Sequence, residues 1–512
     1  MNFRCLCFLA FMVVLPSIVF TAKILFVCTP VYSHVQQMSF IADALIEKGH
    51  DVWITSLPDM DEKLNLKKRK IQITPFAQSQ KINFLFDQLL GDSDSNPIFT
   101  YLRTGKRSLP LHEAKTVISV MITDDQLAST IKREKFDLMV VESVPVSSML
   151  TIIPYKYDIP FVYFGPFCHH YQWRIPFSPS FVPFKLFPFS DRMTFTERVL
   201  NTLIVVGFMF YDPFNDRNTA SIYAPERPFI GMTELQRRAR LYIVEVNELL
   251  DYPYPVMPNV IKIGSLTPRV DTKMPEDYAK FLDRSQNGVV IVSFGSIFPN
   301  TNVSILSKLV TAFTNTKYDF IIKGSFAKST DRMMVSKWIP QKTLLKHKKT
   351  RLFVTHCGTN GVGEGISNGV PMLGFPLFGD QPANGFLISS RGYGLQMDLF
   401  AAKTEDIKDN INEIIENPSY KSNINKASQI VQELEKRENP SEVAAFWIEH
   451  VIKFGGEYRR SSSIDMPLYQ YLLLDVLALL ILICTLVLTL LFCCLKTCYR
   501  MTCSGKPKIK SS

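Results

Sequence analysis

Phe353 to Gln381 reads FVTHCGTNGVGEGISNGVPMLGFPLFGDQ. Phe353, Val354 and Thr355 suit the end of a buried parallel strand, and His356-Cys357-Gly358-Thr359 the turn after it. Asn360 to Asn368 suits a helix with Thr359 as its N-cap. His356, Asn360 and Glu364 recur every four residues, so Asn360 and Glu364 share a helix face and His356 stands just before its start. A helix N-terminus offers free backbone N–H groups and a positive dipole end, a ready place for a phosphate. Glu364, one turn further in, can accept hydrogen bonds from vicinal ribose hydroxyls. Val370 to Pro376 forms the next strand and delivers Asp380 and Gln381 at its carboxyl end, where open α/β sheets bind ligands.

Similar strand signals lie on either side. Lys23 to Pro30 is apolar and β-branched; Tyr32-Ser33-His34 follows, then a helix with Met38, Ile41, Ala42, Leu45 and Ile46 on one face. With the strand from Val52 to Thr55 this makes a βαβ unit, the start of a doubly wound domain. No G-x-G-x-x-G stands at its first turn, which excludes the usual nicotinamide or flavin fingerprint. His34 has the titration range for general base work; by position alone it could also cap the helix or face solvent. Leu57 to about Asn96 is charged and irregular, with Lys67-Lys68-Arg69-Lys70 read as a solvated face. Phe136 to Glu142 is another buried strand, ending in an acid. Ile159 to Phe189 is aromatic and broken by prolines, a mixture of core and material for an apolar pocket or membrane surface. Leu266 to Glu276 suits an interdomain linker. Gly288 to Phe294 is a further strand, and Gly295-Ser296 after it lets a diphosphate approach the backbone and a hydroxyl.

The block T-H-x-G-x-N-G-x-x-E, followed by G-V-P and D-Q, resembles the signature of the UDP-glycosyltransferases, the family of the UDP-glucuronosyltransferases. Lys337-Trp338-Ile339-Pro340-Gln341 matches the family's W-x-P-Q, and Ser33-His34 its S-H after the first strand. The resemblance implies a GT-B fold: two Rossmann-like domains facing a cleft, with the last helix crossing back onto the first domain. It implies His34 as catalytic base, oriented by Glu142 where relatives carry Asp. It implies UDP contacts from Ser296, Trp338, Gln341, His356, Gly358, Asn360 and Glu364, with Trp338 stacking on uracil, and donor-sugar contacts from Asp380 and Gln381. Cys357 stands where many relatives have Gly, and Val35 where many have Trp. No D-x-D stands where a metal-dependent transferase would need one, so neither metal nor cofactor is expected, the UDP-sugar being a co-substrate.

The chain ends define topology. Arg4, an apolar run from Leu6 to Phe20 and small residues at Thr21-Ala22 read as a signal peptide. Val476 to Leu495 is apolar and long enough, at about 20 residues, to cross a bilayer. Lys508-Ile509-Lys510-Ser511-Ser512 fits the K-x-K-x-x retrieval pattern of type I endoplasmic-reticulum proteins. The net charge of +10 invites a nucleic-acid reading, but five basic residues and no acidic one crowd Lys496 to Ser512, so topology explains about half of it. Only Cys28, Cys168 and Cys357 of ten cysteines fall in the expected luminal body, as free thiols. Asn302-Val303-Ser304 is an acceptable glycosylation sequon.

The expected organisation is therefore a signal peptide at 1–22, an acceptor-binding domain at 23–265 and a UDP-sugar-binding domain at 266–455. A juxtamembrane segment at 456–475, a transmembrane helix at 476–495 and a cytosolic tail at 496–512 complete it. The expected partners are UDP-glucuronic acid or UDP-glucose, a small lipophilic acceptor and the membrane, with no nucleic acid; homo- or hetero-oligomerisation stays open. Glucosyl transfer, or an inactive homologue that binds UDP or lipid, are the alternatives to glucuronosyl transfer.

Overall fold

The computed structural model describes residues 20–74, 76–90, 111–185, 187–210, 217–246, 248–266, 273–295, 303–325 and 327–503. The expected signal peptide apart from residues 20–22, together with Ser296, Asn302 and the terminal lysine pattern, lies outside the described residues. Met1–Arg459 and Arg460–Ser512 form two compact units.

The first unit holds two parallel sheets. One contains β1 (Lys23–Val27), β2 (Asp51–Thr55), β3 (Gln72–Thr74), β4 (Leu138–Glu142), β5 (Phe161–Gly165), β6 (Tyr242–Glu245) and β7 (Val260–Ile263), in the order β3-β2-β1-β4-β5-β6-β7. The other contains β8 (Val289–Ser293), β9 (Asp319–Lys323), β10 (Met333–Ser336), β11 (Thr350–Thr355), β12 (Met372–Gly374) and β13 (Gly394–Gln396), in the order β10-β9-β8-β11-β12-β13. Strands such as LMVVE, FVYFG and VVIVS are buried along their whole length. Near-continuous apolar runs are what a parallel sheet covered on both faces requires. Both sheets reverse strand order beside their first strand, between β1 and β4 and between β8 and β11. The crevice above the carboxyl ends of the strands at such a switch point is the natural ligand site. His34 and Glu142 follow one switch point, Gly295 and His356 the other.

Helix α1 (Tyr32–Glu47) buries more than the single face expected, because Val35, Phe40 and Ala44 are covered as well. The further cover comes from the helix Pro440–Phe454, whose Ala444, Ala445, Ile448 and Val451 share a core with α1 and β1. Glu449 of that helix binds Lys48 and His50 at 3.1 Å each. The last helix of the unit thus returns to the first sheet. Asn439 caps it, accepting from Ser441 N and Glu442 N, while Pro440 supplies an N1 residue that needs no partner.

Two readings of the sequence need correction. The segment after Leu57 is not irregular throughout: it forms a helix at Pro58–Leu64, then β3, then a helix at Ser79–Leu90. A three-residue edge strand is too short to show a period. Arg69, within the basic run, is spent on Asp43 of α1 at 2.5 Å rather than on solvent. The second correction concerns α2 (Thr359–Ser367), whose N-cap is Gly358, not Thr359.

In the second unit Leu474–Cys503 is one helix, fully exposed along its apolar length and long enough to cross a membrane. It begins before Val476 and runs on past Lys496. Asp475 occupies its first turn and Arg500 its last, each the favourable sign for the helix dipole.

Candidate active site

Glu142 ends β4 and His34 sits in the first turn of α1, so each is placed by an element end at the first switch point. His34 Nδ1 stands 2.5 Å from Glu142 Oε1. The contact becomes an ion pair when the imidazole is protonated. The second carboxylate oxygen accepts from Thr29 N at 3.2 Å and from the Thr29 hydroxyl, which also meets Ser147 Oγ at 2.7 Å. Glutamate's extra methylene is therefore accommodated, because both carboxylate oxygens are engaged. Burial pushes the Glu142 carboxyl up, but His34, Ser147 and Thr29 together hold it below its ordinary value. Burial pushes the His34 imidazole down, yet Glu142 and, across the cleft, Asp380 leave it above its ordinary 6.5. A base strengthened by an adjacent carboxylate is suited to taking a proton from a hydroxyl.

The facing wall is built from the second sheet. His356 follows β11 and is held near pKa 4 by burial and by Lys323, with Asp380 opposing, so it is neutral at physiological pH. Two glycines frame its ring: a Cβ added at Gly295 or Gly358 would come within 2.7 or 2.6 Å of the imidazole. Asp380 accepts from Thr359 Oγ1 at 2.5 Å and from Asn384 Nδ2 at 2.7 Å. Gln381 is nearly buried, and its carbonyl accepts from Leu377 N and Phe378 N at 2.8 and 3.1 Å, closing the turn that presents Asp380. Glu364 Oε2 accepts from Gln341 Nε2 at 2.7 Å, so the two residues assigned to the ribose already bond each other. Trp338 is 56% exposed while its carbonyl is fixed by Ser336 Oγ and Tyr278 Oη, leaving the indole as an open platform. Asn360 lies in the first turn of α2.

Sequence reasoning missed several members of this arrangement. Thr29 reaches Glu142 only because β1 and β4 are neighbours, and Ser147 because the chain turns back just after β4. Lys323 closes β9 and acts on both His356 and Glu364, burial lowering its own pKa. A lysine at a strand's carboxyl end was the available signal. Asn384 shares Asp380 with Thr359 and also reaches the Cys357 carbonyl at 3.0 Å. Pro145, three residues after Glu142, lines with Phe167, Tyr171, Phe184, Phe208 and Tyr252 a pocket of roughly 830 Å³ counting its mouth.

Cys357 departs from glycine at a position where the backbone is left-handed, φ +65°. Such a conformation costs a non-glycine residue about 1–2 kcal/mol. Its thiol is fully buried in the space over Gly374, where an added Cβ would lie 2.4 Å from the sulfur. Gly374→Ala is therefore expected to destabilise by about 1–3 kcal/mol through overpacking. Cys357→Gly in the same chain is expected to recover most of that loss. A thermal-unfolding double-mutant cycle checks the coupling, and additive effects would show that the two sites do not share this space.

The fold has matches among solved structures. The kitacinnamycin glycotransferase superposes with a TM-score of 0.56 at 17% identity, covering 84% of this chain and 98% of that one. Spinosyn forosaminyltransferase SpnP gives 0.59 at 14% identity, covering 85% and 100%. Both carry the two-sheet GT-B arrangement seen here. In sequence, the chain is 30% identical to UDP-glucuronosyltransferase 1A7 of Mus musculus, over 94% of this chain and 92% of the relative. It is 29% identical to UDP-glucuronosyltransferase 2B7 of Homo sapiens, with 91% of each covered. The model of the family described as UDP-glucoronosyl and UDP-glucosyl transferase matches residues 22–509, and the chain belongs to that family.

Proposed function

We propose that this chain is a membrane-anchored UDP-glucuronosyltransferase-type enzyme that moves a hexuronic acid or hexose from UDP to a small lipophilic acceptor, inverting the anomeric centre. The observation that carries the reading is the pair of part-exposed His34 and buried Glu142, whose imidazole also feels Asp380 of the opposite domain. Acid–His pair and donor-side carboxylate thus meet in one cleft. His34 takes the proton of the acceptor hydroxyl through its free ring nitrogen, Glu142 stabilising the imidazolium that forms. The acceptor oxygen bonds to C1 of the sugar as the C1–O bond to UDP breaks. The departing diphosphate meets the N-terminus of α2 and His356, which at pKa about 4 serves as a neutral hydrogen-bond partner rather than a cation. Neither a metal nor a resident cofactor enters this scheme. The aromatic pocket beside Pro145 suits an apolar acceptor. Leu474–Cys503 is read as a single span that leaves both domains in the lumen of the endoplasmic reticulum.

Membranes bearing the full chain, supplied with UDP-glucuronic acid, UDP-glucose and other UDP-sugars against a panel of phenols, alcohols and acids, test the reading. The expected product is a β-glycoside from UDP-glucuronic acid. Transfer from UDP-glucose alone reassigns the sugar. Absence of transfer from every donor removes the enzyme.

A further inference from the structure

Helices α1 and α2 face each other across the cleft. Gln36, Gln37 and Phe40 of α1 line the same pocket, of about 380 Å³ counting its open mouth, as Asn360, Gly363 and Glu364 of α2. One wall is acceptor-rich: Glu364 is a carboxylate whose Oε2 already accepts a hydrogen bond from Gln341 Nε2. On the other wall Gln37 Oε1 is shut off from solvent and has no hydrogen-bond partner among the described residues. A buried amide oxygen left unmatched is costly, and native structures keep such groups where something else satisfies them. A vicinal diol held between the walls can give one hydroxyl to Glu364 and the other to Gln37. A hydroxyl both donates and accepts, so the match survives either orientation of the Gln37 amide.

Gln37 also has leverage on the reaction. It lies one turn beyond His34, and side chains three apart on a helix are neighbours. Tyr32, which opens the helix, comes near enough to the Trp338 side chain to feel it and receives Gln36 Nε2 at 3.5 Å. The first turns of α1 therefore touch the nucleoside half of the site at more than one point, while His34 sits between those contacts.

We propose that Gln37 is a donor-binding residue that takes a ribose hydroxyl of the nucleotide from the side opposite Glu364, and that this contact seats α1, with His34 on it, over the donor. The proposal rests on the function proposed above, with Glu364 facing the ribose as the sequence leads one to expect.

The test compares binding of UDP, 2′-deoxy-UDP and 3′-deoxy-UDP to the full chain in detergent, wild type against Gln37→Met. One neutral hydrogen bond corresponds to about a 3- to 10-fold change in affinity. Wild type is expected to bind at least one deoxy analogue weaker than UDP by that factor. Gln37→Met is expected to weaken UDP by the same factor, leave that analogue unchanged and so erase the discrimination. In turnover the donor KM rises in step while the acceptor KM holds. Should the methionine variant fail to fold, Gln37→Leu is read in the same way. Undiminished discrimination in the variant, equal weakening of all three nucleotides, or none in the wild type overturns the proposal. Discrimination that depends on Gln37, with no sugar transferred from any donor, leaves this contact standing and removes only the enzymatic reading.

Discussion

His34→Ala is expected to lower kcat toward phenol and alcohol acceptors by about 10²- to 10⁴-fold, with UDP affinity unchanged. The reasoning follows from where the side chain stands. His34 stands beside Glu142 at the end of the first sheet, whereas the groups proposed to hold the nucleotide, among them Trp338, Gln341 and Glu364, belong to the half of the chain that builds the second. Losing the imidazole removes the proton acceptor without touching the uracil platform. The size of the loss should depend on the acceptor. An aliphatic alcohol holds its proton tightly and needs the base most; a carboxylic acid is already ionised at neutral pH and needs it least. Rates for alcohol, phenol and acid acceptors with the alanine variant should therefore fall back in that order of severity. Initial rates at saturating donor, with UDP binding as the control, check this. An equal loss for all acceptors would make His34 a structural residue, and an alanine variant near wild-type rate would take it out of the reaction.

How much of this was visible in the sequence depended on the range of the interactions. Strand, turn, helix and strand around His356 are local, and each left a local signature: an apolar run, glycines, a four-residue spacing. The start of the helix at Pro440–Phe454 is local too, Asn439 accepting from the backbone N–H groups of Ser441 and Glu442. The return of that helix to the first sheet came from family resemblance, because nothing in its own pattern says which sheet its alanines and isoleucines cover. Thr29 and Ser147 illustrate what local pattern cannot carry. They join Glu142 from positions 113 residues before it and just after it, the first through strand neighbours fixed by the whole sheet. Gln381 shows another limit. As part of a D-Q pair it reads as a sugar contact, yet its carbonyl is engaged by the backbone of the turn before it, a use that only the path of the chain reveals. Gly358 reads as a turn former and Gly295 as an opening for a diphosphate; their additional effect is to make room for the His356 imidazole.

Glu142→Gln should cost nearly as much as loss of the base and, unlike it, should move the pH profile. Glu142 and Asp380 hold the His34 pKa above 6.5 against burial. The base acts unprotonated, so kcat/KM of the wild type falls as pH drops through that raised pKa, and its acid limb lies above 6.5. With glutamine at 142, burial is opposed by Asp380 alone. The His34 pKa falls and the limb moves to lower pH. The plateau should drop by about 10²- to 10⁴-fold, because glutamine leaves the imidazolium without a counter-charge and can bind the wrong tautomer. Stability should respond in a different window. The Glu142 contribution is present above its ordinary 4.5 and lost as pH falls through its depressed value. The His34 contribution is present below 6.5 and lost as pH rises through its raised value. Their mutual stabilisation is thus complete between 4.5 and 6.5, and Glu142→Gln should lower Tm most there. Glu142→Asp, one methylene shorter, cannot span from the Thr29 hydroxyl to His34 as fully and should fall between wild type and glutamine in rate. Profiles of kcat/KM and Tm for the three forms test both halves of the argument. An acid limb that stays in place in the glutamine variant would mean that Glu142 does not set the charge state of His34.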